Sequence, residues 1–381
     1  IRRAQKLSTW LQKAFDIESY DLATLSNTSV MEVNSPNSPE DVNEINMANE
    51  INAISILKNS QINVYHDKIE KVIRIKKMSE RYDHKIIGKI DLHLPFNTNL
   101  RGTIKNSDLT IAKVRGTIAI NTESTDSDLN NLNGNINIST RGGNISATKL
   151  SGEMELNVVS GDINIFDCDA NSMLNMDNGN IFINGLKGNL SSNTTLGETL
   201  VSNYEGESSV FNINVGNLKI NKSKSNINAT IDIGSVNINN IQGATTIFTG
   251  KGEINLNNII GDVNCNTNFG NVNGINLFGK INANSELGDI EINKGYNSFL
   301  KNHSVNIATK RGSISVRLPS DLPYAINSQC HNLETRNAIS SEIPLDEEFL
   351  SAKVVGQGKI KEGTISCNLS SNYGPISIFT N

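Results

Sequence analysis

Short runs of the form G-x-h-x-h, where h is Ile, Val or Leu, recur along the chain and are each followed by four mostly polar residues, as in G-N-I-N-I at Gly134, G-D-I-N-I at Gly161, G-S-V-N-I at Gly234 and G-D-I-E-I at Gly288. Apolar residues at every second position have the period of a strand with one buried face. Each nonapeptide therefore predicts one short strand and one turn. The β-branched residues supply a stiff inward face, and the glycine supplies the backbone freedom that the turn needs.

The glycines keep one register. Gly134, Gly143, Gly152 and Gly161 stand nine apart, as do Gly179 through Gly206 and Gly234 through Gly288, with Ala170 and Ser225 in two of the missing places. Such self-similarity decides the architecture before any local reading. A second rhythm overlies it: Ile241, Ile259 and Leu277 lie two residues before alternate glycines, whereas Phe269 and Leu287 lie one residue before theirs. The true repeat is then an eighteen-residue coil with two strands. Hairpin pairing would reverse the repeat, so the coils stack in parallel as a solenoid. Residues 116–295 give about ten coils, a length on the order of 50 Å at strand spacing.

The fold class read from the chain is all-β, a parallel β-helix or β-solenoid of about nine-residue strand-turn units. Solenoid ends need caps. Residues 61–115, with I-N-V-Y-H and K-V-I-R-I, read as an entry cap, 116–316 as the repeats, and 317–381 as a closing cap with a return strand from Gly363. Residues 26–60 read as a linker rich in Ser, Asn, Pro and Glu. Residues 1–25 read as a short helical segment or targeting remnant. There Arg2, Arg3, Lys6 and Lys13 interleave with Leu7, Trp10, Leu11 and Phe15 at helical spacing, as in a mitochondrial presequence.

Composition fits this plan. Hydrophobic residues make up 37% and mean hydropathy is −0.30, lean for a broad core and sufficient for narrow apolar stripes. Asn accounts for 59 of 381 residues, several-fold above ordinary usage. On the eighteen-residue grid Asn237, Asn255 and Asn273 share one outward place, as do Asn239 with Asn257, Asn264 with Asn282, and Asn266 with Asn284. Stacked amides can hydrogen-bond up such a row, and Asn tolerates left-handed turns. A net charge of −5 argues against nucleic acid, which needs a clustered basic face. No apolar run reaches the roughly 18 residues of a membrane-spanning helix.

Candidate chemistry is sparse. A calcium β-roll needs its acidic residue in each turn, yet while Asp162, Asp262 and Asp289 follow their glycines, the equivalent places after Gly134, Gly143, Gly179, Gly188 and Gly270 hold Asn and Gly279 is followed by Lys280. Asp162, Asp167 and Asp169, with Asp177 nearby, form the one local acidic cluster that a carbohydrate-acting β-helix enzyme could use. Cys168, Cys265, Cys330 and Cys367 have no C-x-x-C spacing and read as core thiols. The five histidines, His66, His84, His93, His303 and His331, show no metal-ligand spacing. No catalytic, cofactor or metal residue is expected.

L-H-L-P-F-N-T-N-L before the first coil, the linked S-G-D-I-x-I and L-x-G-x-I units of residues 150–165, the exit G-S-I-S-V-R-L-P at Gly312 and the final N-Y-G-P-I-S-I together resemble the adhesin-type β-solenoid domain of unknown function. That family is widespread in bacterial envelope proteins and has a eukaryotic mitochondrial relative. The resemblance spans about residues 60–381 and implies a right-handed β-helix with no catalytic residues to carry over; the Asn load and the first 55 or so residues depart from it. The expected function is a non-enzymatic adhesive, structural or scaffolding module with a protein or glycan partner. The alternative is a carbohydrate-acting enzyme. The expected location is the mitochondrion, with the cell envelope or exterior as the alternative.

Overall fold

A computed structural model describes residues 96–331, 338–350 and 353–381 with their side chains, together with the backbone of strands Val30–Asn34, Ile54–Ser55, Ile62–Asp67 and Val72–Lys77. The segment read as helical, residues 1–25, lies outside the described residues. The chain divides into two compact units, residues 1–179 and 180–381, called unit 1 and unit 2 below. Both are parallel β-solenoid, and about 11 turns are present among the described residues.

The eighteen-residue coil is the repeat of both units. In unit 1, Ile118 pairs with Ile136 and Ile145 with Ile163; in unit 2, Val236 pairs with Ile254, Ile254 with Val272 and Val272 with Ile290, all in parallel register. Most coils give one strand to each of two parallel faces, here called sheets, while Ile163–Asn178, Thr199–Val215 and Leu218–Ile233 run through the corner as single strands. In unit 2 the first sheet carries strands such as Thr245–Lys251, Val263–Phe269 and Ile281–Leu287, and the second carries Val236–Gln242, Ile254–Ile260 and Val272–Leu277. Inward positions follow the predicted phase: Ile238, Ile254, Ile281 and Ile290 are buried, and Asn255 is half-exposed between Ile254 and Leu256.

The second rhythm of the sequence has a backbone cause. Asn240, Asn258 and Asn276 have φ of 58°, 57° and 55°, a left-handed step that Asn adopts readily. That step resets the alternation, so Ile241, Ile259 and Leu277 point inward again and are buried. In unit 1 the same column of turns is made by Lys113, Asn131, Lys149 and Asp167, all at positive φ.

The repeated glycines answer to stacking as well as to the turn. A Cβ on Gly161 would lie 2.2 Å from the carbonyl oxygen of Gly143, and one on Gly252 would lie 1.9 Å from that of Gly234. Any side chain would collide with the coil before it.

At the entry of unit 1, Val30–Asn34 runs antiparallel between Val72–Lys77 and Asn99–Lys105, and Ile62–Asp67 adds to the other side of Val72–Lys77. These strands cover the free edge of the first coil. Val30–Asn34 and Ile54–Ser55 stand within the stretch read from sequence as a linker. At the far end of unit 2 the return strand Ile365–Tyr373 inserts in parallel between Val305–Arg311 and Tyr324–His331. Leu345–Leu350 then ends that sheet, antiparallel to Lys353–Lys359. Its exposed Asp346, Glu347 and Glu348 discourage further strand addition.

Candidate functional site

Parallel stacking brings like positions of successive coils side by side, so the outer surface is organised as rows. The predicted amide positions are in register, and hydrogen bonds join some of them: Asn273 Nδ2 donates to Asn255 Oδ1 at 2.9 Å and Asn284 Nδ2 to Asn266 Oδ1 at 2.8 Å, whereas Asn239 Nδ2 donates along its own strand to Asn237 Oδ1 at 3.3 Å. From Asn282 the row runs on through Asn306 and Asn368, at 3.0 and 2.8 Å. The turn column is laddered too, Asn258 to Asn240 at 2.8 Å.

A second set of amides and carboxylates acts on the backbone. The residue after a corner glycine accepts the N–H of its counterpart one coil on: Asn144 from Asp162 at 2.9 Å, Asn217 from Ser235 at 2.9 Å, Asp262 from Lys280 at 3.0 Å and Asn271 from Asp289 at 2.9 Å. Only an acceptor oxygen is needed there, so Asp and Asn serve equally. This role explains why carboxylates occur irregularly at the position that a calcium roll would fill throughout. Among the described residues no group of three His, Cys, Asp or Glu could hold a metal ion.

Unit 1 has an open groove of about 570 Å³ along the end of its first sheet. Its floor is an outward row at one position of five successive coils, Thr103, Asn121, Ser139, Asn157 and Asn175. Within this row Asn175 Nδ2 donates to Asn157 Oδ1 at 2.7 Å, and Asn157 Nδ2 to Ser139 Oγ at 3.4 Å. Beside it stand Lys105, Glu123, Arg141 and Asp177. Lys105 Nζ and a Glu123 carboxylate oxygen are 2.6 Å apart. That hydrogen bond and the lysine's charge, with a smaller contribution from Arg141, hold the Glu123 carboxyl below its usual value. The groove thus offers amide, hydroxyl, guanidinium and carboxylate groups in rows about 4.8 Å apart.

The acidic cluster of the sequence is brought together only in part, Asp167 and Asp169 lying side by side around the buried Cys168. Asp162 follows Gly161 at one corner, Asp167 makes the left-handed turn at the other end of the short segment 163–166, and Asp169 lies two residues on within the same strand Ile163–Asn178. Asp177 alone of the four lines the groove. The four thiols are buried, as read from sequence, and burial pushes Cys265 and Cys367 up to about 12 and Cys330 to about 11.

Sequence reasoning passed over Lys294. It takes the inward place beside Leu277 and is 0% exposed. Its Nζ donates to the carbonyl oxygens of Leu277 at 3.3 Å, Phe278 at 3.0 Å and Gly279. Burial pulls the ammonium down to about 8, against the opposing pull of Asp262. His303 Nδ1 also donates to Phe278 O, at 3.1 Å, and the ring is held below its ordinary value by burial and then by the Lys294 charge. The sequence signal for this site is a break in spacing: Gly288 to Gly312 exceeds the regular interval by six residues. The extra residues fall between Lys294 and Val305, and the lysine at the start of that stretch holds the carbonyls of Leu277, Phe278 and Gly279 on the coil before it.

Against known proteins, no family model, no curated protein and no solved structure matches the chain.

Proposed function

We propose that the chain is a non-enzymatic, adhesin-type β-solenoid that binds an extended polar glycan in the groove of unit 1. The observation that carries this reading is the in-register amide and hydroxyl row from Thr103 to Asn175 beside Lys105, Glu123, Arg141 and Asp177. A chain of hydroxyl-bearing units needs both donors and acceptors repeated along its length, and the groove presents both from several coils at once. Asp162 stands at a different corner from Asp167 and Asp169, and none of these three lines the groove, which supports binding over hydrolysis, a reaction that needs two carboxyl groups facing one bond. Right-handed winding belongs to this reading through the resemblance to adhesin-type solenoids. So does a mitochondrial location, supported by the basic amphipathic residues 1–15, with the cell envelope as the alternative.

Screening the purified full chain on immobilised glycans tests this. Binding should fall at least tenfold for Asn157→Ala combined with Arg141→Ala, while Asn255→Ala in unit 2 should leave it unchanged. Retention of no glycan, or an equal loss in both variants, would overturn the reading.

A further inference from the structure

In unit 2 the residue directly before each corner glycine lies in register with its counterpart on the next coil. The resulting row contains Leu196, Val215, Ile233, Phe269, Leu287 and Tyr373, interrupted by Lys251 and Arg311. Its six apolar members are between 38% and 53% exposed. At strand spacing the row runs about 34 Å. The position has a backbone duty only, since its carbonyl accepts the N–H of the glycine one coil earlier, as Phe269 does from Gly252 and Leu287 from Gly270. Nothing in the coil asks for an apolar side chain there, and a contiguous exposed apolar patch marks an interaction surface.

We propose that this row docks a second copy of the same chain, the two rows lying side by side and antiparallel. A straight row one residue wide, rising by one strand spacing per step, is matched along its whole length by another solenoid corner, and a second copy supplies one. The placement of the two cations selects the direction. Lys251 and Phe269 are the fourth and fifth of eight positions, so a two-fold axis between them sets Lys251 against the partner's Phe269 and Arg311 against the partner's Val215. Leu196 then meets the partner's Tyr373, and Ile233 the partner's Leu287. No cation faces a cation, each charged head can lie over a ring or leave its stem on apolar surface, and the interface is isologous. Arg311 already sits over the Tyr373 ring at 5.7 Å within the chain. A parallel arrangement would instead press Lys251 on Lys251 and Arg311 on Arg311. The row is smaller than the roughly 800 Å² per partner of a stable interface, so association is weak and concentration-dependent. This proposal rests on unit 2 alone and is independent of the glycan reading.

Sedimentation velocity on the full chain should show a monomer–dimer equilibrium that Ile233→Asn combined with Leu287→Asn abolishes without changing the unfolding transition. Mixing Lys251→Cys and Phe269→Cys copies under mild oxidation should give a disulfide-linked dimer, whereas neither alone should link; the native thiols, being buried, are spectators. A monomer at every concentration, undiminished dimer in the double variant, or self-linking of Lys251→Cys would each overturn the proposal. Monomers that co-sediment with phosphatidylcholine vesicles, and lose that binding in the double variant, would assign the row to lipid instead.

Discussion

The position before the corner glycine has the same backbone duty in both units and opposite chemistry. In unit 1 it holds Gly142, Ser160 and Asn178, whose carbonyls accept from Thr125, Gly143 and Gly161; in unit 2 it holds the apolar row ending at Phe269, Leu287 and Tyr373. The inward columns do not diverge in this way: Ile136, Ile145 and Ile163 in unit 1 are as buried as Val236, Ile254 and Val272 in unit 2. Packing dictates the inward residues, because every coil must fill the space between two sheets. The outer corner carries no such demand, so its difference between the units reflects what each surface meets.

The largest effects are expected at the corner stacking that the two units share. Gly161→Val in unit 1 and Gly252→Val in unit 2 each drive a side chain into a carbonyl of the preceding coil. Each should cost about 4 kcal/mol or more in urea unfolding, at the upper end of single-substitution effects. Ile254→Asp should cost a similar amount by burying an unpaired charge, whereas Asn255→Asp should change little. Tolerance of either glycine variant would mean that the stacking account fails for that unit.

Lys294 distinguishes the units: it is the buried Lys of unit 2, and unit 1 has none among its described residues. With its folded value at about 8 against an ordinary 10.5, the unfolded chain holds this proton more tightly. The penalty, about 3 kcal/mol, is fully present below pH 8 and is relieved as pH rises from 8 to 10.5. Unfolding free energies of the native chain should therefore rise relative to Lys294→Met across that window. A flat difference would show that the ammonium is not buried as described.

A smaller effect is expected at Thr245. Its inward hydroxyl has no hydrogen-bond partner, and its neighbours in the column are Ile227 and Val263. Thr245→Val should stabilise by about 1 kcal/mol, read as a rise in the denaturation midpoint.

Most of the fold was legible because the solenoid is written in a period that survives without three-dimensional information. Gly252, Ile254 and Leu256 declare a corner and an inward face by spacing alone. The amide rows followed by counting in eighteens. What could not be read were features where the chain bends. Alternation from Val263, Cys265 and Thr267 counts Phe269 as inward, and only the corner turns it out. The role of Asp262 as acceptor for Lys280 is invisible because it depends on a partner eighteen residues away. The groove was hidden too, being assembled from single residues of five coils with no local motif. Lys294 was masked because the register shifts opposite it, Ile275 pairing with Asn293 and Leu277 with Lys294, just before the inserted residues.

The finest test of the comparison separates stability from association. If the outer corner is free of any demand from the fold, Phe269→Asn in unit 2 and Ser160→Leu in unit 1 should each alter unfolding free energy by no more than about 0.5 kcal/mol, the range of ordinary surface substitutions. Only the first should weaken dimer formation, because it removes the ring that faces the partner's Lys251. A loss of about 2 kcal/mol for Phe269→Asn in a monomeric sample would show instead that the ring is part of the packing of its own coil. The apolar row would then be a structural seam, and the difference between the units would carry no information about partners. Near-neutral stability with lost association would show that a β-solenoid can change what it binds at one corner residue per coil while its interior stays constant.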